Sequence, residues 1–217
     1  MSDAPAPPEV VVAVQDAAQF QALISATDGQ MADLERFRQM LEAGNEVMNL
    51  VGPATLPDFW NRHAWDSAQL LRLAPGALTW ADLGAGAGFP GLVLAILLKD
   101  TPGAKVHLVE SMAKRCRFLG QVASELALPT EIHNVRAEDL SLSVDIVTAR
   151  ACAPMTRLFG YARPYFKRRA RGLFLKGQDV VSELDEASKS WTFKVRLIPS
   201  LSDARGQIVD VESLSRG

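Results

Sequence analysis

Cysteine is almost missing from this 217-residue chain: Cys116 and Cys152 are the only two. They lack the partner spacing of a metal site and make no disulfide framework, so a reducing compartment fits best. Histidine is nearly as scarce, and the three at positions 63, 107 and 133 are too scattered to read as a zinc cluster; no metal is expected. Long hydrophobic runs are missing too. The longest, residues 92–98, is far too short to cross a bilayer. Residues 1–15 are rich in proline and alanine but have no basic start or cleavage pattern, and are expected to form a disordered tail. With 48% hydrophobic and 22% charged residues and no internal repeat, the rest reads as an ordinary globule. It is expected to be cytoplasmic, free of membrane and monomeric.

The formal net charge is only −2, but it is unevenly placed. Residues 1–75 hold four arginines against ten carboxylates, while residues 114–176 hold twelve basic side chains against five acidic ones. An acidic protein can thus present a positive face, and a polyanion meets the local field.

Residues 16–76 read as a helical extension. Phe20, Leu23 and Ile24, then Met31, Leu34, Phe37, Leu41 and Val47 recur at roughly helical spacing, and Pro75-Gly76 closes the region. Over residues 77–217 the pattern changes. Strand-like runs at 78–83, 105–110, 131–135, 144–149, 172–176, 193–198 and 208–211 alternate with helical stretches at 91–99, 112–128, 154–166 and 180–188. This alternation predicts an α/β fold, a seven-stranded, mostly parallel sheet with helices on both faces. The last two strands, with no long helix between them, suggest a closing hairpin. Ligands of such sheets lie beyond the carboxyl ends of the strands, near the switch point. Asp82, Glu110 and Arg150 therefore fall on the functional rim.

The turn Asp82-Leu83-Gly84-Ala85-Gly86-Ala87-Gly88-Phe89-Pro90-Gly91 carries the strongest signal. Residues 86–91 satisfy G-x-G-x-x-G, and Glu110 follows about twenty residues on, where a carboxylate can take both ribose hydroxyls of an adenosine. Gly84, Gly86 and Gly88 allow positive φ angles and a close approach of backbone to ligand. Pro90 suits the first helical position. Dinucleotides and S-adenosylmethionine share these needs. Asp82 separates them, because a carboxylate there repels a pyrophosphate but suits an ammonium group and a sulfonium. A glycine turn that merely packs helix on strand is the bland alternative, and the matched acid at 110 weighs against it.

Seven ordered segments go further: Asn49-Leu50, His63-x-x-Asp66-Ser67, the glycine turn, Glu110-Ser111-x-x-Lys114-Arg115-x-x-Phe118-Leu119, Arg136-Ala137-Glu138, Arg150-Ala151 and Leu175-Lys176-Gly177. In this set the chain resembles the bacterial glucose-inhibited division protein B family, the small-subunit rRNA guanine-N7 methyltransferases. Gly44 departs from the family, which often has tryptophan there. The resemblance implies a class I, Rossmann-like methyltransferase with S-adenosylmethionine as cofactor and 16S rRNA or the 30S subunit as partner. The methyl group would go to N7 of one guanine, position 527 in the usual bacterial numbering. The resemblance also implies cofactor contacts at Gly84, Phe89, Ala137, Glu138 and Arg150, with Phe89 packed on the cofactor and Glu138 at the adenine edge. Asp82, Gly86, Gly88 and Glu110 complete that candidate set.

The candidate RNA contacts are Lys114, Arg115, Arg136, Lys167, Arg168, Arg169 and Lys176. Each has a bland reading beside it. Lys114 and Arg115 open a helix at the unfavourable end of its dipole, which an RNA phosphate or plain solvation would explain. Arg136 is as ready to pair with Asp139, and the run at 167–169 with solvent. Arg150 or Lys176 would reach guanine O6 or a flanking phosphate. Because N7 already offers a lone pair, no catalytic acid or base is assigned. His63 and Asp66 then read as a bridge between the N-terminal helices and the sheet, and the two cysteines as small buried hydrophobes. Two other functions stay open: a same-fold enzyme acting on a small molecule or protein, and a non-catalytic nucleic-acid or division factor that keeps the pocket.

Overall fold

The computed structural model describes residues 11–217. β1 (Thr79–Leu83), β2 (Lys105–Val109), β3 (Thr130–His133), β4 (Ile146–Arg150) and β5 (Arg171–Lys176) pair in parallel. β6 (Trp191–Pro199) and β7 (Gln207–Arg216) close the sheet as the expected antiparallel hairpin, giving the order β3-β2-β1-β4-β5-β7-β6. The order reverses between β1 and β4, and a crevice opens at their carboxyl ends. α4 (Gly91–Leu97) and α5 (Ala113–Glu125) bury their apolar stripes on one face of the sheet; Phe118 and Val122 lie in that core as their spacing predicts. α6 (Met155–Phe166) and α7 (Val180–Ser188) cover the other face.

The N-terminal helices α1 (Ala17–Ile24), α2 (Asp28–Met48) and α3 (Asp66–Leu73) add no core of their own. Asp16 caps α1 by accepting from the Gln19 amide, and Thr27 with Gln30 forms a capping box on α2. Leu34, Phe37, Leu41, Phe59 and Trp65 sink into the same core as Leu92 and Phe118. Extension and sheet are therefore packed as one body. Val47 falls off this stripe and is 79% exposed.

One detail corrects the sequence reading and another accounts for Gly44. The tail expected to be disordered through residue 15 is docked from residue 12: Val12 donates its amide to Leu201 O (3.0 Å), its carbonyl accepts from Trp65 Nε1 (3.1 Å), and Val14 is buried. The apolar run at 11–14 supplies the side chain that makes this docking favourable. Residues 1–10 of that expectation lie outside the described residues. At Gly44 an added Cβ would stand 3.0 Å from both Phe118 Cε2 and Leu50 Cδ1, so α2 approaches α5 too closely for a tryptophan. Among the described residues, no helix is long and apolar enough to cross a membrane.

Candidate active site

The turn after β1 is held from both sides. Gly84 and Ala85 donate their amides to Val109 O (2.8 and 3.0 Å), which pins the turn to the end of β2. Gly84, Gly86 and Gly88 have φ angles of 69°, 56° and 97°, a region that other residues avoid. A Cβ on Gly84 would also meet Cys152 Sγ at 2.7 Å. α4 starts at Gly91, with Pro90 at the cap position rather than the first helical one.

Asp82 is fully buried under this turn. Its Oδ2 accepts from the Gly91 amide (2.9 Å), while Oδ1 has no hydrogen-bond partner. Burial pushes its pKa up to about 7, and the Gly91 amide and Arg150 pull it partly back. Asp82 is thus placed beneath the crevice wall instead of on the rim. Glu110, just past β2, is also buried and accepts from the amides of Gly86 (3.0 Å) and Met112 (2.8 Å). It borders a cleft of about 350 Å³ together with Gly84, Arg136, Ala137, Glu138 and Cys152. Arg136 faces Glu138 at 3.8 Å, not Asp139. Cys116 and Cys152 are half-buried rather than core residues. The Cys152 thiol is pushed up to about 11, first by burial and then by the Asp82 and Glu110 carboxylates.

A second cleft, of about 630 Å³, shares Gly84, Arg115 and Ala151 with the first. Arg150 forms its back wall. Its Nη1 donates to Arg62 O (2.7 Å) and Asp66 Oδ2 (3.2 Å), and its Nη2 to His63 Nδ1 (2.9 Å). These acceptors come from a π-helical turn, Trp60–Trp65, and the residue after it. Such widened turns often sit at functional sites. The His63 ring stacks on Phe89 at 4.5 Å, and its Nε2 donates to Thr55 Oγ1 (3.0 Å), since Nδ1 accepts from the guanidinium. Burial, reinforced by the charges of Arg150 and Arg62, lowers the His63 pKa to about 3, so the ring is neutral.

Phe89 was expected at the mouth of the turn. It lines the larger cleft, and its ring packs into the N-terminal cluster, 5.2 Å from Phe37 and 6.2 Å from Phe59, with the Arg150 guanidinium 4.8 Å above it. Lys176 lines the larger cleft, donating to Ala153 O (3.1 Å) and pairing with Glu183 at 2.6 Å. Lys114 is exposed at the start of α5, beside Arg115. Lys167, Arg168 and Arg169 are exposed too, but they precede β5 and so lie at the amino-terminal edge of the sheet, away from both clefts.

Several cleft residues carry no local sequence signal. The loop at 200–203 closes over Asp66 through Ser202 Oγ (2.7 Å) and over Gln69 through the Leu201 amide (2.8 Å). His107 and His133, scattered in sequence, meet at 3.0 Å beside Glu131, which corrects the view that the histidines form no cluster.

A family profile described as rRNA small subunit methyltransferase G matches residues 30–209. A ribosomal RNA small subunit methyltransferase G from Caulobacter vibrioides (strain NA1000 / CB15N) is 67% identical over 204 residues, 94% of each chain. Its namesake from Parvibaculum lavamentivorans is 43% identical over 205 residues, 93% of this chain and 91% of the relative. Among solved structures, a SAM-dependent methyltransferase from Aquifex aeolicus aligns with a TM-score of 0.55 at 15% identity, over 77% of this chain and 97% of that one. Magnesium protoporphyrin IX methyltransferase from Synechocystis PCC 6803 gives 0.52 at 15% identity, over 87% and 99%. At such identities the likeness is one of fold, and the fold is the Rossmann-like methyltransferase fold expected from the sequence.

Proposed function

The chain belongs to the rRNA small subunit methyltransferase G family, an enzyme family of S-adenosylmethionine-dependent methyltransferases, and we propose that its acceptor is N7 of a single guanine of 16S rRNA, position 527 in the usual bacterial numbering. The observation that carries the reading is the pair of adjoining clefts that meet at Gly84 and Ala151, one bordered by Glu110 and Glu138, the other by Arg150 and Lys176. The first suits an adenosine, the second a base presented by RNA. In this reading residues 16–76 are an extension folded onto a methyltransferase domain at 77–217, and the protein works as a cytoplasmic monomer on rRNA or the 30S subunit.

The residues present fit the cofactor. Gly84 lines both clefts at a point where a Cβ would strike Cys152 Sγ, so a glycine keeps the backbone close to a ligand there, and the unpartnered Asp82 Oδ1 leaves negative potential under the turn. Gly84, Gly86, Gly88, Glu110, Ala137 and Glu138 would hold it, with Asp82 acting from beneath. Phe89 and Arg150 would shape the wall. When bound, S-adenosylmethionine supplies a methyl group on a positive sulfonium.

The chain's own residues have mainly to orient the acceptor. Guanine N7 needs no deprotonation, and His63 is neutral and fully engaged, so it is no candidate base. Asp179 lines the larger cleft and favours the positive charge that grows on the purine, whereas Asp66, Glu183 and Asp203 there are already paired with Arg150, Lys176 and Arg62. Arg150 and Lys176 remain the groups for O6 or a flanking phosphate. Arg115 and Arg136 border the smaller cleft, with Lys114 beside them, and are assigned to phosphates. Lys167, Arg168 and Arg169 would be reached only by RNA that wraps around the sheet edge.

The test is incubation with labelled S-adenosylmethionine and 30S subunits or 16S rRNA from a strain lacking the gene, followed by cleavage at 7-methylguanine. A single cleavage at the proposed guanine is expected. Label entering a small molecule or protein, and not RNA, would overturn the reading.

A further inference from the structure

β2 and β3 run parallel in the register that sets His107 against Glu131 and Val109 against His133. Strand alternation places His107, Glu131 and His133 on one face of the sheet, and β3 is an edge strand. His107 Nδ1 and His133 Nε2 lie 3.0 Å apart, and the Glu131 carboxylate presents one oxygen to each of them at 3.8 Å. The two imidazoles are only 12% and 14% exposed, whereas Glu131 is 47% exposed, so the cluster opens to solvent on the carboxylate side. We propose that His107, Glu131 and His133 form a binding site for a divalent transition cation of the zinc class, separate from the two clefts.

The donor set is the one such cations take: imidazole nitrogens and a carboxylate, with room for water in a fourth position. For bonds of roughly 2.0–2.1 Å at tetrahedral angles, donor atoms stand about 3.3 Å apart. The nitrogens therefore open slightly and the carboxylate closes slightly. A shared proton would satisfy the two nitrogens but gives no role to the carboxylate that faces both. A competitor is Lys105, whose Nζ is 2.7 Å from Glu131 Oε2. That ion pair is exposed on both sides and so is cheaply given up.

A cation here would fasten an edge strand that carries part of the smaller cleft. His133 O accepts from the Glu110 amide (3.0 Å), and Asn134 Nδ2 donates to the carbonyls of Glu110 (3.1 Å) and Ser111 (2.9 Å). The site thus stiffens the loop that bears Glu110 without touching the methyl-transfer chemistry.

Untagged, chelator-stripped protein titrated with Zn²⁺ by calorimetry, alongside thermal unfolding with and without Zn²⁺, tests this. One bound equivalent and a raised melting temperature are expected. His107→Gln and His133→Gln should each weaken binding by more than the roughly 10- to 100-fold that loss of an outer partner costs. Lys105→Ala should strengthen it by freeing the carboxylate. Circular dichroism checks that the variants fold; if a histidine variant does not, the exposed Glu131→Gln still reports on the site. Absence of binding, or an equivalent retained by the His107→Gln/His133→Gln double variant, would overturn the proposal. Affinity unchanged in both Lys105→Ala and Glu131→Gln would overturn the three-ligand site.

Discussion

Arg150 Nη2 donates to His63 Nδ1 across 2.9 Å, and this bond ties the last residue of β4 to the π-helical turn of the N-terminal extension. The same guanidinium holds the Arg62 carbonyl and the Asp66 carboxylate, so one side chain joins the sheet rim to three groups of the extension. Removing it leaves a buried imidazole and a carboxylate without their shared donor.

Arg150→Ala is therefore expected to lose about 2–3 kcal/mol of stability, read from urea unfolding. Methyl transfer to 30S subunits should fall further than the loss of folded protein explains, because the larger cleft loses its back wall. Normal stability with normal methylation would remove Arg150 from both roles.

Acid should act on the fold through buried groups of opposite sign. His63 titrates near 3 when folded and 6.5 when free, so the unfolded chain binds the extra proton between those values; its stabilisation, full above pH 6.5, is lost as pH falls toward 3. Asp82 titrates near 7 when folded and 3.8 when free, so its stabilisation is full below pH 3.8 and is lost as pH rises through 7. Each slope approaches about 1.4 kcal/mol per pH unit in the overlap, and the two offset one another. His107, its pKa also lowered by burial, adds to the His63 side, so denaturant titrations of the wild type should show a shallow fall in stability from pH 6 to pH 5. Relative to it, the Asp82→Asn profile should fall with acid and the His63→Gln profile should rise.

Gly91→Ala should damage the cradle from below. Its Cβ would stand 2.3 Å from Leu108 Cδ2 and 2.7 Å from Asp82 Oδ2, both in a packed core. A loss of about 1–3 kcal/mol is expected, with weaker cofactor binding by calorimetry because Asp82 is displaced. Gly120→Ala, in the middle of α5 with nothing within 4 Å, should instead gain about 0.4–1 kcal/mol. Equal effects at the two positions would contradict this packing.

The basic candidates should separate by position. Lys114→Ala with Arg115→Ala is expected to weaken rRNA binding and reduce the salt slope by about one per side chain removed. Lys167→Ala, Arg168→Ala and Arg169→Ala together should leave that slope near its wild-type value, measured by filter binding from low to moderate salt. The reverse ranking would place the RNA at the opposite edge of the sheet.

The sheet was readable because parallel strands covered on both faces write themselves as apolar runs separated by helical periods. The weak spot was β7, expected at 208–211 but extending as Gln207–Arg216. Its later residues are largely polar and pair with β6 at the sheet edge beyond a bulge at Lys194/Val195, where no apolar run is required. In the candidate site, the glycine turn and Glu110 are local in sequence and were visible. The engagement of Arg150 with His63 and Asp66 spans more than eighty residues, and the facing of His107 and His133 depends on strand register. Neither leaves a local trace. The cofactor contact at Phe89 rests on the family resemblance, while the packing of its ring with the aromatic cluster of the extension is written nowhere near it in sequence.

The clasp between Val12 and Leu201, with the Trp65 indole donating to both carbonyls, also sets an order of events during synthesis. Early segments leave the ribosome first and wait for partners made last. The wall formed by Arg62, Asp66 and the 200–203 loop cannot close until residue 203 is out. A nascent chain that stops short of this loop therefore carries the glycine turn but not the finished larger cleft.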